Sequence, residues 1–496
     1  MTHFNWLLDG SIVGLYLLVT MIAGLWVRKY VGKVEHFLVA GREMDLFLGI
    51  ASLAATEFGI VTCMYTAQNG FQKGFAGATP GLLMAAAMLI VGVTGFCIKP
   101  LRDSGVMTLP ELIDKKFGPN IRWASGVVIV LGGLLNMGVF LRVGGQFLVL
   151  VSGMNVGYLE VMMTALLIGV AVYTILGGML SVLVTDFLQF IVMSIGLIAV
   201  TILILMNVGW ENLVTTVEKN YGDGGFNPFV ATNLGWGYVL AQGFLNTAAV
   251  LTWQTTIARV LAAKDTDTGR KIYSRTSFFF VCRFLIPGIW GIAALAHFGP
   301  IADDAAALEA MPKYLAVAVP SGLMGILIAA MLAADMSTDS SYMLSWGSVI
   351  YNDIMAPFHK GKWSEKKGLM INRCIVALIG VFLLFYGLWY KTEGGLWDYL
   401  TVTGTIYLAS ISVLLIAGCY WEKANSWGAA AAIFVGAAIP IAYLVMQKMD
   451  SAGAKELSKA IGPNYSVIAA FVGATLAMVI GSLIKPKAQN IQEASL

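Results

Sequence analysis

The chain has 496 residues, 58% of them hydrophobic and only 12% charged, about half the charged share of an ordinary soluble domain. A membrane-spanning helix uses about 20 apolar residues, so this composition excludes a soluble enzyme, a disordered chain and a secreted disulfide scaffold. The net charge of +3 says little until the charges are placed along the chain.

Thirteen apolar stretches are predicted as membrane helices, near 10–27, 48–67, 79–98, 121–151, 158–176, 180–207, 235–262, 275–298, 320–350, 370–390, 396–420, 427–446 and 464–484. They are too long and too continuous for barrel strands, so the fold class is an all-α integral membrane protein. No Lys or Arg precedes the first stretch, and Arg28, Lys29 and Lys33 follow it, which predicts a retained span with the N-terminus outside. On that register the inside loops at 28–42, 99–122, 259–275, 360–373 and 485–487, with Lys423, hold 22 Lys and Arg. The outside holds 7, namely Lys73, Lys219, Lys313, Lys391, Lys448, Lys455 and Lys459. That contrast supports thirteen spans with the C-terminus in the cytoplasm.

Between the third and fourth stretches, Thr108-Leu109-Pro110-Glu111 has capping-box spacing and Gly118 is a stop, which predicts a short cytoplasmic helix with Glu111 as part of its cap. The polar segment 208–233 is predicted to fold over the external face. The five cysteines and four histidines show no zinc or disulfide spacing. No kinase-like output domain follows the last stretch, which argues against a sensor. No "YD … GxGD" pair occupies a span, which argues against an intramembrane aspartyl protease.

Charges inside a bilayer are costly and need an account. The candidates are Glu57, Arg142, Asp186, Arg283, Asp335 and Asp339. Arg283 lies near the inner end of its span and is expected to snorkel as a structural residue. The segment 51–59, Ala-Ser-Leu-Ala-Ala-Thr-Glu-Phe-Gly, is predicted to unwind at mid-membrane and expose carbonyls to a cavity, as discontinuous transporter helices do. In the ninth stretch, Ala334, Ser337, Thr338 and Ser341 form an i, i+3, i+4, i+7 stripe. Neutral hydroxyl and carbonyl oxygens suit a small monovalent cation, whereas a divalent cage calls for several carboxylates. Asp335 and Asp339 fall on an adjacent face, where they would pair with a base, bind a proton or face water.

Several motifs resemble the sodium/solute symporter family. They are Ala40-Gly41-Arg42; the run "TLPELIDKKFGPNIR" from Thr108 to Arg122; Gly177-Gly178 followed by Val184-Thr185-Asp186 and Gln189; "QTTIARVLAAK" from Gln254 to Lys264; and Trp421 to Ala429. The resemblance implies a leucine-transporter-like fold with two inverted five-helix repeats, 46–207 and 234–420, and broken first and sixth core helices. A leading helix and loop (1–45) and two trailing helices (421–496) complete a single transport domain. It implies a sodium site on Ala55, Phe58, Ala334, Ser337 and Thr338, and a second sodium on Asp186, Ser337, Ser340 and Ser341. For Asp186 a hydrogen bond to a neighbouring helix is the alternative.

The reading that follows is a sodium-coupled importer of a small polar solute, not an enzyme, in a bacterial inner membrane, with no nucleic-acid partner. A proton-coupled carrier using Glu57 or Asp339, and a sodium-coupled sugar carrier, are the alternatives. Glu57, Thr62, Arg142, Trp253 and Gln254 are the candidate solute contacts. Arg142 either pairs with Glu57 to hold two helices or grips a solute carboxylate, which would make the solute an organic acid or zwitterion.

Overall fold

The computed structural model describes residues 3–231, 234–359, 363–390, 395–449 and 451–485. Lys360, Lys362, Lys391 and Lys487 of the charge count lie outside the described residues. Among the described residues twenty α-helices carry the fold. They are α1 (Leu8–Val27), α2 (Val34–Val39), α3 (Leu46–Thr56), α4 (Ile60–Lys73), α5 (Thr79–Thr94), α6 (Ile98–Asp103), α7 (Leu109–Phe117), α8 (Pro119–Met137), α9 (Phe140–Ser152) and α10 (Leu159–Val208). There follow α11 (Trp210–Tyr221), α12 (Gly235–Thr252), α13 (Gln254–Ala262), α14 (Thr266–Phe298), α15 (Asp304–Ala318), α16 (Leu323–Val349), α17 (Glu365–Trp389), α18 (Leu396–Tyr420), α19 (Ser426–Lys448) and α20 (Ala452–Ile484). Among the described residues no strand forms; one isolated bridge joins Met44 to Ala263.

Among the described residues ten helical stretches are long and apolar enough to cross a membrane by length and composition, fewer than the thirteen expected. Several of them run through a bend or break. The stretch Val156–Val208 takes in all of α10, which Gly178 divides with a left-handed φ of +55°. A side chain there would strike the Phe37 ring, since an added Cβ lies 2.5 Å from it, so the glycine both turns the helix and admits α2. The stretch Ile60–Thr94 takes in both α4 and α5.

The helices are layered by lipid contact. The most apolar windows of α16 and α18 are each 89% buried, against 22% for α1 and 33% for α19 and α20. Leu15, Leu18, Ile22, Ile195, Ile198, Leu378, Phe385, Leu476 and Ile480 stand exposed on the outer helices, as lipid-facing residues should. In α16 nearly every side chain is enclosed by protein, polar ones included.

The two breaks that matter come from local sequence. At the end of α3 the ladder closes on Glu57, whose N–H donates to Leu53. Gly59 is extended (φ −97°, ψ 174°) and starts α4, and its missing side chain leaves room for Thr338, whose Oγ1 would lie 2.8 Å from a Cβ there. At Trp253 the chain is again extended (φ −64°, ψ 118°) between α12 and α13. These are the expected broken helices. The start of α3 and the end of α13 are tied together, because Met44 donates to Ala262 and accepts from Lys264.

The short helix after Thr108 forms as α7, and Gly118 stops it at φ +86°. The capping box is displaced by one residue: Glu111 Oε2 accepts from the N–H of Met107 at 2.8 Å. Thr108 Oγ1 makes no cap bond; it accepts instead from the Asn352 amide at 3.1 Å. Within the polar segment 208–233, residues 210–221 are helical as α11, and Leu213 and Val217 are its buried face.

Candidate functional site

A cavity lies where the two breaks face α16 and α18. It holds about 740 Å³ not filled by atoms, its opening included. Glu57, Thr62, Asn136, Asn246, Arg283, Asp335 and Thr338 give the lining its polar groups. Aromatic rings and small or aliphatic residues form most of the rest. Trp253 stacks on Tyr407 at 5.6 Å and donates from Nε1 to the Tyr342 hydroxyl at 3.0 Å. Tyr65, Phe284 and Trp397 pack together with centroids 4.7 to 5.8 Å apart. Apolar walls with a few converging polar groups are the usual make-up of a small-molecule site.

The cation in this cavity is Arg283. It is buried, and its guanidinium lies between the Phe280 and Phe284 rings at 5.6 and 5.7 Å. Nη1 reaches Glu57 Oε2 at 3.4 Å; Nη2 reaches the Tyr65 hydroxyl at 3.0 Å and Thr62 Oγ1 at 3.4 Å. Nε has no partner. The snorkelling expected of Arg283 is therefore corrected: its helical position shares the face of Phe280, Phe284 and Pro287, all buried, and that face looks onto α4. Glu57 is held on its other side by the hydroxyls of Thr255 and Thr256, each donating to Oε1 at 2.9 Å.

Arg142 is corrected as well. It is absent from the cavity lining and donates from Nη1 to the Gly387 carbonyl of α17 at 3.2 Å, so it neither pairs with Glu57 nor faces the cavity. The reason is helical phase: Asn136 and Phe140, one turn apart, both line the cavity. A residue two beyond Phe140 points about 200° away from that face. Gln254 also lies outside the lining, buried in the first turn of α13 with Oε1 unpartnered. Thr62, Trp253 and Glu57 do line the cavity.

Of the first proposed sodium set, Thr338 sits directly against the α3–α4 break, its hydroxyl donating to the Thr56 carbonyl at 2.9 Å. Ala55 is the last residue but one of α3, and its carbonyl accepts from the N–H of Phe58 at 3.3 Å. Ser337 Oγ donates to Asp186 Oδ1 at 2.6 Å, which leaves its lone pairs free to accept or ligate. Ala334 lies one turn before on the same helix. Neutral oxygens from a helix break and a facing helix fit a monovalent cation.

The second proposed set is arranged differently. Asp186 receives the Arg259 guanidinium at 3.0 Å, with both side chains fully buried. Arg259 Nη2 also donates to Ser341 Oγ at 2.6 Å and Thr56 Oγ1 at 2.5 Å, and Nε donates to Ser52 Oγ at 3.1 Å. Ser340 bonds back to its own helix at the Ser337 carbonyl. Of the expected set, Asp186 and Ser341 thus contact the Arg259 guanidinium, Ser337 bonds Asp186, and Ser340 bonds a carbonyl of its own helix.

Asp335 lines the cavity, and its Oδ2 is buried without a hydrogen-bond partner; Asp339 Oδ1, one turn on, is likewise unpartnered. The residues that sequence reasoning missed are Arg259, Ser52 and Thr56 at Asp186, Thr255 and Thr256 at Glu57, and Arg283 itself as a cavity residue. Arg259 lies inside the apolar run 235–262, the one signal that could have removed it from the loop count.

Residues 37–436 match the family model described as "Sodium:solute symporter family". The chain is 25% identical over 484 residues to "Sodium/glucose cotransporter 4" of Danio rerio, covering 88% of this chain and 72% of that one. It is 23% identical over 489 residues to "Osmoregulated proline transporter OpuE" of Bacillus subtilis (strain 168), covering 95% and 94%. Its fold is similar, at a TM-score of 0.80 and 16% identity, to a solved Na+-coupled sialic acid symporter in a substrate-bound outward-open state, over 97% of this chain and 99% of that one.

Proposed function

The chain belongs to the sodium:solute symporter family, and from that premise we propose that it imports a small polar solute bearing an acidic group, an organic acid or a zwitterion such as an amino acid. Its partners are sodium, a small-molecule solute and the lipid bilayer. The observation that carries the solute class is Arg283, whose Nε is unpartnered and whose contacts to Glu57 and Thr62 are long, at 3.4 Å. A guanidinium has five donors in a fixed fork, and a solute carboxylate would take them as a bidentate pair. The aromatic walls would exclude water around that pair.

We place the sodium at Ala55, Phe58, Ala334, Ser337 and Thr338, because Thr338 and the break already meet there. Sodium, when bound, supplies a charge that draws the break of α3–α4 onto α16. Glu57 follows that break and reaches Arg283, so the ion and solute positions are joined through two adjacent residues. Binding at one therefore favours binding at the other. We further propose thirteen crossings in an inner membrane, N-terminus outside, with repeats at 46–207 and 234–420. Uptake into proteoliposomes under an imposed sodium gradient, with a panel of amino acids, carboxylates and neutral sugars, tests this; uptake of sugars alone would refute the acidic-solute reading.

A proton-coupled carrier of the same fold is the second reading, favoured by the unpartnered carboxylates of Asp335 and Asp339. Uptake driven by an imposed proton gradient in sodium-free medium distinguishes it.

A further inference from the structure

Among the described residues the charged groups of the cavity lining are Glu57, Arg283 and Asp335. Glu57 and Arg283 meet each other, so their charges cancel, and an ionised Asp335 leaves the lining net negative. Both oxygens of Glu57 are taken: Oε1 accepts from Thr255 and Thr256, and Oε2 from Arg283. Asp335, by contrast, is 1% exposed, belongs to none of the ion pairs among the described residues, and has no hydrogen-bond partner at Oδ2. A carboxylate buried at membrane depth is costly unless something pairs with it. Asp335 lies three residues before Thr338, so the two present one face of α16 to the cavity. Gly144 of α9 makes room for the carboxylate, since a Cβ there would lie 3.2 Å from Oδ2 and 3.3 Å from Oδ1. Asp339, one turn on, is not part of the lining.

We propose that Asp335 receives the ammonium group of an amino-acid solute whose carboxylate Arg283 holds, which makes Asp335 the residue that selects a zwitterion over a simple acid. The inference rests on the acidic-solute reading above. A solute carrying only a carboxylate would bring a second negative charge into a lining that already has one, away from water, where little screens it. It would also leave Asp335 unpaired. An amino acid adds no net charge, and its ammonium offers N–H donors to the carboxylate in a charge-assisted bond. A site that bonds a substrate N–H rejects the analogue lacking it, because its own polar group is then left without a partner. Of the two lining carboxylates, Asp335 is the one with a buried oxygen still unpartnered.

The test is a thermal-shift titration of the purified full-length protein at saturating sodium. The probes are the protein amino acids, each beside the same acid without its amino group and the same amine without its carboxylate; for leucine these are isocaproate and isoamylamine. The amino acid that binds is expected to do so at least about tenfold more tightly than its matching acid, the worth of one charge-assisted hydrogen bond. Asp335→Asn keeps the shape and loses the charge, and that preference is expected to vanish in it while sodium still stabilises the protein. Equal binding of acid and amino acid by the wild type overturns the inference, gives Asp335 to a proton or an inorganic cation, and leaves the acidic-solute reading intact. This comparison decides the matter even if the asparagine variant does not fold. A preference undiminished in Asp335→Asn also overturns the inference. An amine that binds as tightly as its amino acid overturns the acidic-solute reading and the zwitterion with it, and binding of no amino acid overturns the inference outright.

Discussion

Glu57 and Arg283 face each other at 3.4 Å in the lining of the cavity, one at the break between α3 and α4 and the other in the middle of α14. The pair is buried and hydrogen-bonded on its far sides, Glu57 by Thr255 and Thr256 and Arg283 by Tyr65. A loose contact between tightly supported partners is a place a third group can enter. Arg283→Lys keeps the charge but loses the fork, and we expect apparent solute affinity to fall by at least about tenfold, roughly one charge-assisted hydrogen bond. Sodium-dependent thermal stabilisation should survive. Arg142→Lys, whose parent side chain bonds only a carbonyl of α17, should leave solute affinity within about twofold of wild type. A reversed pattern in a binding titration would return the grip to Arg142.

Removing Glu57 leaves the Arg283 guanidinium buried without its carboxylate. Breaking one side of a buried pair costs about 3–5 kcal/mol. Glu57→Gln is expected to lower the unfolding temperature in detergent by several degrees. The double variant Glu57→Gln/Arg283→Met removes the stranded charge and should recover part of that loss. If the double variant is the less stable of the two, the pair is not the source of the effect.

Thr338 meets the carbonyl of Thr56 at the helix break. Thr338→Ala removes one neutral oxygen from the proposed sodium site. The sodium concentration giving half-maximal uptake is expected to rise by about tenfold, the worth of one lost hydrogen bond or ligand of about 1.4 kcal/mol. Protein abundance should not change. Ser345→Ala serves as a control: the parent side chain is equally enclosed on the same helix but two turns beyond Thr338. Unaltered sodium dependence in Thr338→Ala would remove the residue from the site.

The crossing of α4 and α14 is set by glycine. A Cβ on Gly291 would lie 1.9 Å from the Ala67 carbonyl oxygen, and one on Gly70 would lie 2.2 Å from that of Gly288. No side chain yields there, because the obstacle is backbone. Gly291→Ala must push the helices apart, at a cost of at least about 1–3 kcal/mol. The Glu57–Arg283 contact bridges the α4 break and α14, so solute affinity should fall along with thermal stability. A stable variant with normal affinity would show that the two helices are not so constrained.

The sequence by itself determined the class of the molecule and the places where its helices fail. An apolar content of 58% leaves helices as the way to satisfy the backbone in lipid. The small and polar residues of 51–59 marked a break that the chain makes at Glu57 to Gly59. The hydroxyls of Ser337, Thr338 and Ser341 were legible as a stripe because helical periodicity is a local property. Which partner each charge meets was not legible. Glu57 and Arg283 are 226 residues apart and Asp186 and Arg259 are 73 apart. Only the packing of α3, α10, α13, α14 and α16 brings them together. Arg142 looked like the substrate cation because it stood mid-span, but it lies on the helix face opposite the one Asn136 and Phe140 turn to the cavity, and bonds α17. Arg259 looked like a loop charge because positively charged residues gather on the cytoplasmic side, yet the fold buries it against Asp186. Periodicity and composition are read from neighbours in the chain, whereas the pairing of buried charges is decided by neighbours in space.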